Sequence, residues 1–431
     1  MRAITADYIF PISSPPIKNG VVIIDNKGII LEVGDSRLKT QDLRLKTYEG
    51  IICPGFINAH CHLELSHLKG KITPKIGMAG FIKEFLSKRN NFSKKEIQSA
   101  IEKAEKEMFA SGIVAVGDIS NDDSTFQTKA KSKIKFHTFI EVFDLNPEKA
   151  KQEFEKGLRL TKQFKNIPLQ THEPSHPPSH SHKPSRKGEL LNPLSPITNH
   201  QLSIVPHAPY SVSEKLFSLI TEYARKNGSI LSIHNQESQA EKDLFENGTG
   251  KIAELFKNMG IDLGFIPKNI DRSLKYNLQN LPSENKILLV HNTYTTKEDI
   301  QWAHSQDSRL KTQDFRHYWC TCPNANLYIE NKLPDYEMFI SENAQMTIGT
   351  DSYASNWSLS ILDELKTIAT DTPHIPLNTL LTWATKNGAE FLGFDKELGT
   401  IEKGKRPGLN LIKNVDLKNL KLTEKSSVKV L

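Results

Sequence analysis

Pro54-Gly55-Phe56-Ile57-Asn58-Ala59-His60-Cys61-His62-Leu63-Glu64 is the stretch on which the reading of this chain turns. An apolar run enters it and two imidazoles, two residues apart, leave it. Side chains two apart on an extended strand project to the same side, so His60 and His62 can face one ion together. His-x-His alone is weak evidence. Its weight depends on what the rest of the chain sets beside it.

Upstream, short strands are expected over Ala3–Phe10, Gly20–Asp25 and Gly28–Gly34, a hairpin-rich β unit. From Ile51 the pattern changes to short apolar runs alternating with longer amphipathic stretches, the mark of βα units and a parallel sheet. Eight candidate strands follow: Cys53–Asn58, Ile113–Ile119, Lys135–Val142, Leu202–Pro206, Ile230–Ile233, Ile287–Val290, Tyr318–Cys322 and Met346–Gly349. Helix-like segments such as Lys95–Ala110, Glu214–Lys226, Gly250–Met259 and Thr296–Ser305 lie between them. The pattern predicts an α/β fold, a (β/α)8 TIM-like barrel. Strand-like runs at Gly399–Gly404 and Leu409–Ile412 rejoin the N-terminal unit. The expected organisation is a barrel over residues 51–394, with a low-complexity insertion at about 171–200. A small discontinuous β-sandwich is expected from residues 1–50 and 395–431.

The chemistry comes from the strand ends. His207, His234 and His291 each fall at or just after an apolar β-like run, and Asp351 follows Thr347-Ile348-Gly349-Thr350 in the same way. In such a barrel these ends converge on one mouth. Neutral imidazole and carboxylate suit one divalent ion, Zn2+ first, with Fe2+ and Mn2+ as alternatives. A catalytic site also keeps a position open for water. Glu237 stands three residues after His234. If the strand turns into a loop there, its carboxyl can sit beside the ion without ligating it and pass a proton between water and substrate. Glu141, ending its strand, either lines the pocket or makes a structural salt bridge.

Composition removes other classes. The net charge of +6 is the small difference between 56 basic and 50 acidic side chains, and no Lys/Arg block is interleaved with aromatics. Nucleic acid is therefore not an expected partner. No apolar run spans a bilayer, and the N-terminus lacks the pattern of a signal peptide, so no membrane partner and a cytoplasmic location are expected. Cys53, Cys61, Cys320 and Cys322 are too few for a disulfide scaffold and read as buried thiols. Asp-Ser-Arg-Leu-Lys-Thr-Gln-Asp occurs at 35–42 and again at 307–314, which a repeated DNA element read in frame explains more simply than a fold requirement. The His/Pro/Ser tract His172–Pro184 cannot build a core. Both this tract and the second octapeptide precede a strand. They are expected on the face opposite the catalytic loops, as passive insertions, with metal buffering by the tract as the rival reading.

The stretch Pro54–Glu64 resembles the signature of the amidohydrolase superfamily. Pro206-His207-Ala208-Pro209-Tyr210-Ser211, the His-x-x-Glu at His234, Val290-His291-Asn292, Cys322-Pro323-Asn324-Ala325-Asn326 and Gly349-Thr350-Asp351-Ser352-Tyr353 are similar to its aminohydrolase subgroup. That subgroup holds adenosine and S-adenosylhomocysteine deaminases, aminofutalosine deaminase, guanine deaminase and triazine hydrolases. The resemblance implies that His60, His62, His234 and Asp351 hold one ion. It also implies that Glu237 protonates a ring nitrogen, that His291 with Asp351 orients and deprotonates water, and that His207 contacts the substrate. His207 stands in the region where binuclear relatives carry a bridging lysine, which favours a single ion.

The implied reaction is hydrolytic deamination of an aminated purine-like nucleoside or nucleobase: hydroxide formed at the ion adds to the amino-bearing carbon and ammonia leaves. Glu84 lies where nucleoside deaminases contact ribose, and reads either as a hydroxyl acceptor or as a solvent-facing helix carboxylate. Leu63-Glu64-Leu65-Ser66 looks most like the aminofutalosine side. Relatives often form homodimers, which no feature of this sequence tests. The alternatives are a hydrolase of a cyclic amide or substituted triazine, and a catalytically silent binding protein.

Overall fold

β-Branched residues dominate the start of the chain, and a computed structural model, describing residues 1–35, 37–38, 45–168, 200–266, 270–307 and 316–431, builds them into strands. These are β1 (Arg2–Ile9), β2 (Ile17–Lys18), β3 (Val21–Ile24), β4 (Ile30–Gly34) and β5 (Leu45–Pro54). The His/Pro/Ser tract and most of each octapeptide copy lie outside the described residues.

Eight strands follow in two parallel sheets. The first is β6 (Phe56–Cys61), β7 (Ile113–Ser120), β8 (Lys135–Val142) and β9 (His200–Pro206). The second is β10 (Leu231–Asn235), β11 (Ile287–His291), β12 (His317–Thr321) and β13 (Gln345–Ile348). Neighbours in each sheet pair in chain order. Helices join them and cover the sheets. The helix Lys94–Ala110, for instance, opens on a reciprocal Ser93/Glu96 cap and buries Ile101, Ala104 and Met108. The sheets touch at two seams. His234 N donates to His207 O at 3.0 Å, and Thr350 N and Asp351 N both donate to His60 O, at 3.0 and 3.1 Å.

β14 (Leu409–Lys413) and β15 (Ser427–Val430) close the chain. β14 pairs antiparallel with β5, giving the order β15-β14-β5-β1-β3-β4 with β2 on β1. The expected two-layer sandwich is therefore one seven-stranded mixed sheet. The reason is β5, which the sequence reading passed over: its ten residues pair with β1 on one side and β14 on the other, joining both chain ends in one ladder. Cys53, expected in the first barrel strand, belongs to β5, opposite Asn410. Only Gly55 separates β5 from β6. Gly399–Gly404 is not a strand. Its amides bond singly, Ile401 to Pro11 O and Gly404 to Ile30 O, without a ladder's register. All four cysteines are buried free thiols. Among the described residues, no helix is long and apolar enough to cross a membrane.

Candidate active site

His60 and His62 leave β6 on one side, their Nε2 atoms 3.1 Å apart. Across the seam, Asp351 Oδ1 lies 3.8 Å from His60 Nε2 and 3.5 Å from His62 Nε2. His234, from β10, has its ring centre 5.1 Å from that of His60 and 5.5 Å from that of His62. One nitrogen from each of the three histidines falls within 4.8 Å of the others. Ligands about 2 Å from a tetrahedral ion stand about 3.3 Å apart, so this set needs little adjustment to hold one. His234 Nε2 is buried without a hydrogen-bond partner, a cost that a ligated cation removes. Burial, then the neighbouring imidazoles, pushes His60 and His234 well below the usual histidine pKa, leaving them neutral and able to ligate. Gly349 makes the close seam feasible: a Cβ there would lie 2.8 Å from His60 O and 2.9 Å from Cys322 Sγ.

Glu237 sits between two histidines, Oε2 3.7 Å from His234 Nδ1 and Oε1 3.4 Å from His291 Nε2. Burial, reinforced by Asp351 and Glu241, raises its pKa well above the usual carboxylate value and so favours its protonated form. His291 Nδ1 donates to Asn326 Oδ1 at 2.8 Å, while Asn326 Nδ2 faces His291 O at 3.5 Å. That pairing leaves Nε2 bare and facing the site, and this atom too is buried without a hydrogen-bond partner. Ser355 Oγ donates to Asp351 Oδ2, turning the other carboxylate oxygen toward the histidines. His207 Nδ1 bonds Ser211 Oγ at 2.7 Å, with its ring centre 4.9 Å from that of His234.

A cavity of about 230 Å³ opens beside these groups. Its polar lining includes His62, His207, Glu237, Asp351 and Glu141, whose carboxylate accepts from Asn121 Nδ2 at 2.9 Å. Its apolar lining includes Leu65, Phe81 and Phe85 on one side of the chain order and Phe143, Phe256 and Met259 on the other. Glu84 is not brought to the cavity. It accepts from Lys88 Nζ at 2.6 Å and from Thr73 N at 3.0 Å, contacts that hold its pKa at about 2. The solvent-side reading of Glu84 is the one its placement matches. Sequence reasoning missed Asn326, Ser211 and Ser355, although each lay within or next to a quoted string. It read those strings for ligands and not for the groups that aim them.

The Amidohydrolase family model matches residues 51–429. The chain belongs to this family. An adenosine deaminase from Helicobacter pylori is 26% identical over 403 residues, covering 90% of this chain and 86% of that protein. An aminodeoxyfutalosine deaminase from Nitratiruptor sp. is 25% identical over 404 residues, covering 90% and 88%. Among solved structures, H. pylori aminofutalosine deaminase in complex with methylthio-coformycin superimposes with a TM-score of 0.76 at 24% identity, covering 98% of this chain and 94% of that one. A zinc-bound atrazine chlorohydrolase from Arthrobacter aurescens reaches 0.71 at 17% identity, covering 100% and 95%.

Proposed function

We propose that this amidohydrolase is a hydrolytic deaminase of aminated purine nucleosides or nucleobases, with its eight parallel strands closed as a (β/α)8 barrel and the seven-stranded sheet as a small flanking domain. The observation that carries the reading is Glu237: a buried carboxyl, its pKa raised by burial, held against His234 and His291 at the edge of a cavity. Deamination of a ring needs such an acid, because protonating the nitrogen beside the amino-bearing carbon makes that carbon electrophilic. His60, His62, His234 and Asp351 would hold one ion, Zn2+ in preference to Fe2+ or Mn2+. Bound there, it supplies a Lewis acid that brings the pKa of water toward neutrality.

The chain's own residues do the rest. Glu237 delivers its proton to the ring nitrogen. The bare Nε2 of His291, fixed by Asn326, accepts a hydrogen bond from the attacking water, and Asp351 takes up its proton and passes it to the departing amine. His207 and Glu141 contact the substrate. The apolar residues of the cavity favour a nucleoside with a non-polar group at its 5′ end. The substrate is a small molecule in every case.

The test is ammonia release from adenosine, 5′-deoxyadenosine, 5′-methylthioadenosine, aminodeoxyfutalosine, guanine, cytosine and atrazine. Release from one or more of the aminated purines is expected. Release from atrazine or cytosine alone, or from none, rejects the reading. The likeness to a triazine hydrolase favours the rival only at the level of fold.

A further inference from the structure

Ser238-Gln239-Ala240-Glu241 has the form of a helix start in which Ser and Glu cap each other reciprocally. Half of that arrangement is present: Ser238 caps the helix Gln239–Asn247 by accepting from Glu241 N at 3.1 Å. The other half is not. The Glu241 carboxylate reaches past Ser238 to the two preceding residues, accepting from Glu237 N at 3.0 Å and from Gln236 N at 2.8 Å. Ser273 also donates to it, and the side chain is completely buried.

The segment it grips is the bend that aims Glu237. Gln236 sits at φ +46°, in the left-handed region that a side chain of its kind adopts only when its surroundings impose it. Thr295 Oγ1 and Asp299 Oδ2 hold its side chain, at 2.6 and 2.9 Å, so Glu241 supplies the matching hold on the backbone. A group needed only to start the helix would have bonded Ser238 N. A buried carboxylate spent on two amides of the bend fixes where Glu237 points.

We infer that Glu241 is a positioning residue for the acid, acting through the backbone amides of Gln236 and Glu237. The inference rests on the deaminase reading. Glu241→Gln keeps shape but replaces one of the two accepting oxygens with an NH2 that opposes an amide. It is expected to lower kcat about 10- to 100-fold, the scale of an acid displaced by a fraction of an ångström, with KM within about threefold. The affinity for a coformycin-type analogue of the tetrahedral intermediate should fall by the same factor as kcat/KM, while affinity for the deaminated product stays. Metal content should remain that of the parent.

Ser238→Ala, which weakens the helix start alone, serves as the control: it should lower the melting temperature and leave kcat within about threefold. If Glu241→Gln does not yield folded protein, Glu241→Asp asks the same question with the charge kept and the reach shortened, and the same loss in kcat without a change in KM is expected. An active parent whose Glu241 variants keep kcat overturns the inference. So does a parallel fall of kcat and melting temperature in the Ser238 control. A parent silent on every aminated purine removes the reaction itself, and this inference with it.

Discussion

The sheets β6–β9 and β10–β13 contribute four strands each, yet they deliver their side chains in different ways. On the first, His60 and His62 point together because an extended strand alternates, and His62 keeps an ordinary negative φ of −119°. Besides the two seam bonds to His60 O, a side-chain brace fixes their exit: Asp118 accepts from Leu63 N at 2.8 Å and is held by the buried Lys129 at 2.5 Å. On the second sheet the strand ends bend. Gln236, His291, Asn292 and Asp351 have φ values of +46°, +77°, +57° and +57°. Each such residue costs about 1–3 kcal/mol unless its surroundings compensate. The compensation is a set of side-chain bonds: Asn292 Nδ2 to Leu289 O and Cys320 O, Asn356 Nδ2 to Thr350 O, and Ser355 to Asp351. His60 and His62 are thus presented by plain alternation, whereas Glu237, His291 and Asp351, which face inward past a strand end, sit on or beside bent and braced backbone.

The sharpest break of this contrast is His234→Ala, which removes the second-sheet histidine that we propose as a ligand to the shared ion. Metal content should drop from about one ion per chain to near zero, and activity by about 1000-fold or more. Deletion of residues 172–182 should leave both intact, and elemental analysis of the two proteins decides. If the deletion strips the ion instead, the metal centre has been misassigned. Next is Glu237→Gln, which keeps the bend but removes the ionisable carboxyl: kcat should fall about 100- to 10,000-fold with the ion retained. Loss of the ion along with activity would make Glu237 a ligand rather than an acid.

Asn326→Ala tests the braces themselves. Freed from its partner, His291 can turn or change tautomer, and kcat/KM should decline about 10- to 100-fold at unchanged metal content. Unaltered kinetics would mean that bent backbone alone aims the ring. The smallest effect is expected from Glu84→Gln, on the first sheet's side. KM should stay within about twofold and stability should change by less than about 1 kcal/mol, as for a partly exposed pair. A large rise in KM would return Glu84 to the substrate.

The two sheets also differ in how far the sequence revealed them. Apolar runs ending in histidine marked the strands of both, since burial on two faces leaves a continuous apolar signature. His60, His62, His234, Glu237, His291 and Asp351 were all legible as a set for that reason. The braces were not, because Asn326, Ser355 and Glu241 are polar residues whose partners are set by the bends and not by local spacing. β5 was missed for another reason. Its first half, Leu45 to Glu49, is largely exposed and carries no apolar run, and only its pairing partners make it a strand. Glu84 had two readings because helical periodicity says nothing about which lysine or threonine comes within reach.

Gly55, alone between β5 and β6, has a consequence for how the molecule comes apart. Its N–H approaches both Pro407 O and Gly408 O at 3.2 Å, just before β14, which zips against β5 through Leu409–Ile412. The last strands of the chain are therefore in series with the strand that ends in His60 and His62. Hydrogen exchange should find Ile51, Ile52 and the amides of β6 opening as one cooperative unit rather than as two. A cut that frees β14 would then loosen β6, the strand that leads into His60 and His62, although β14 itself lines no part of the cavity.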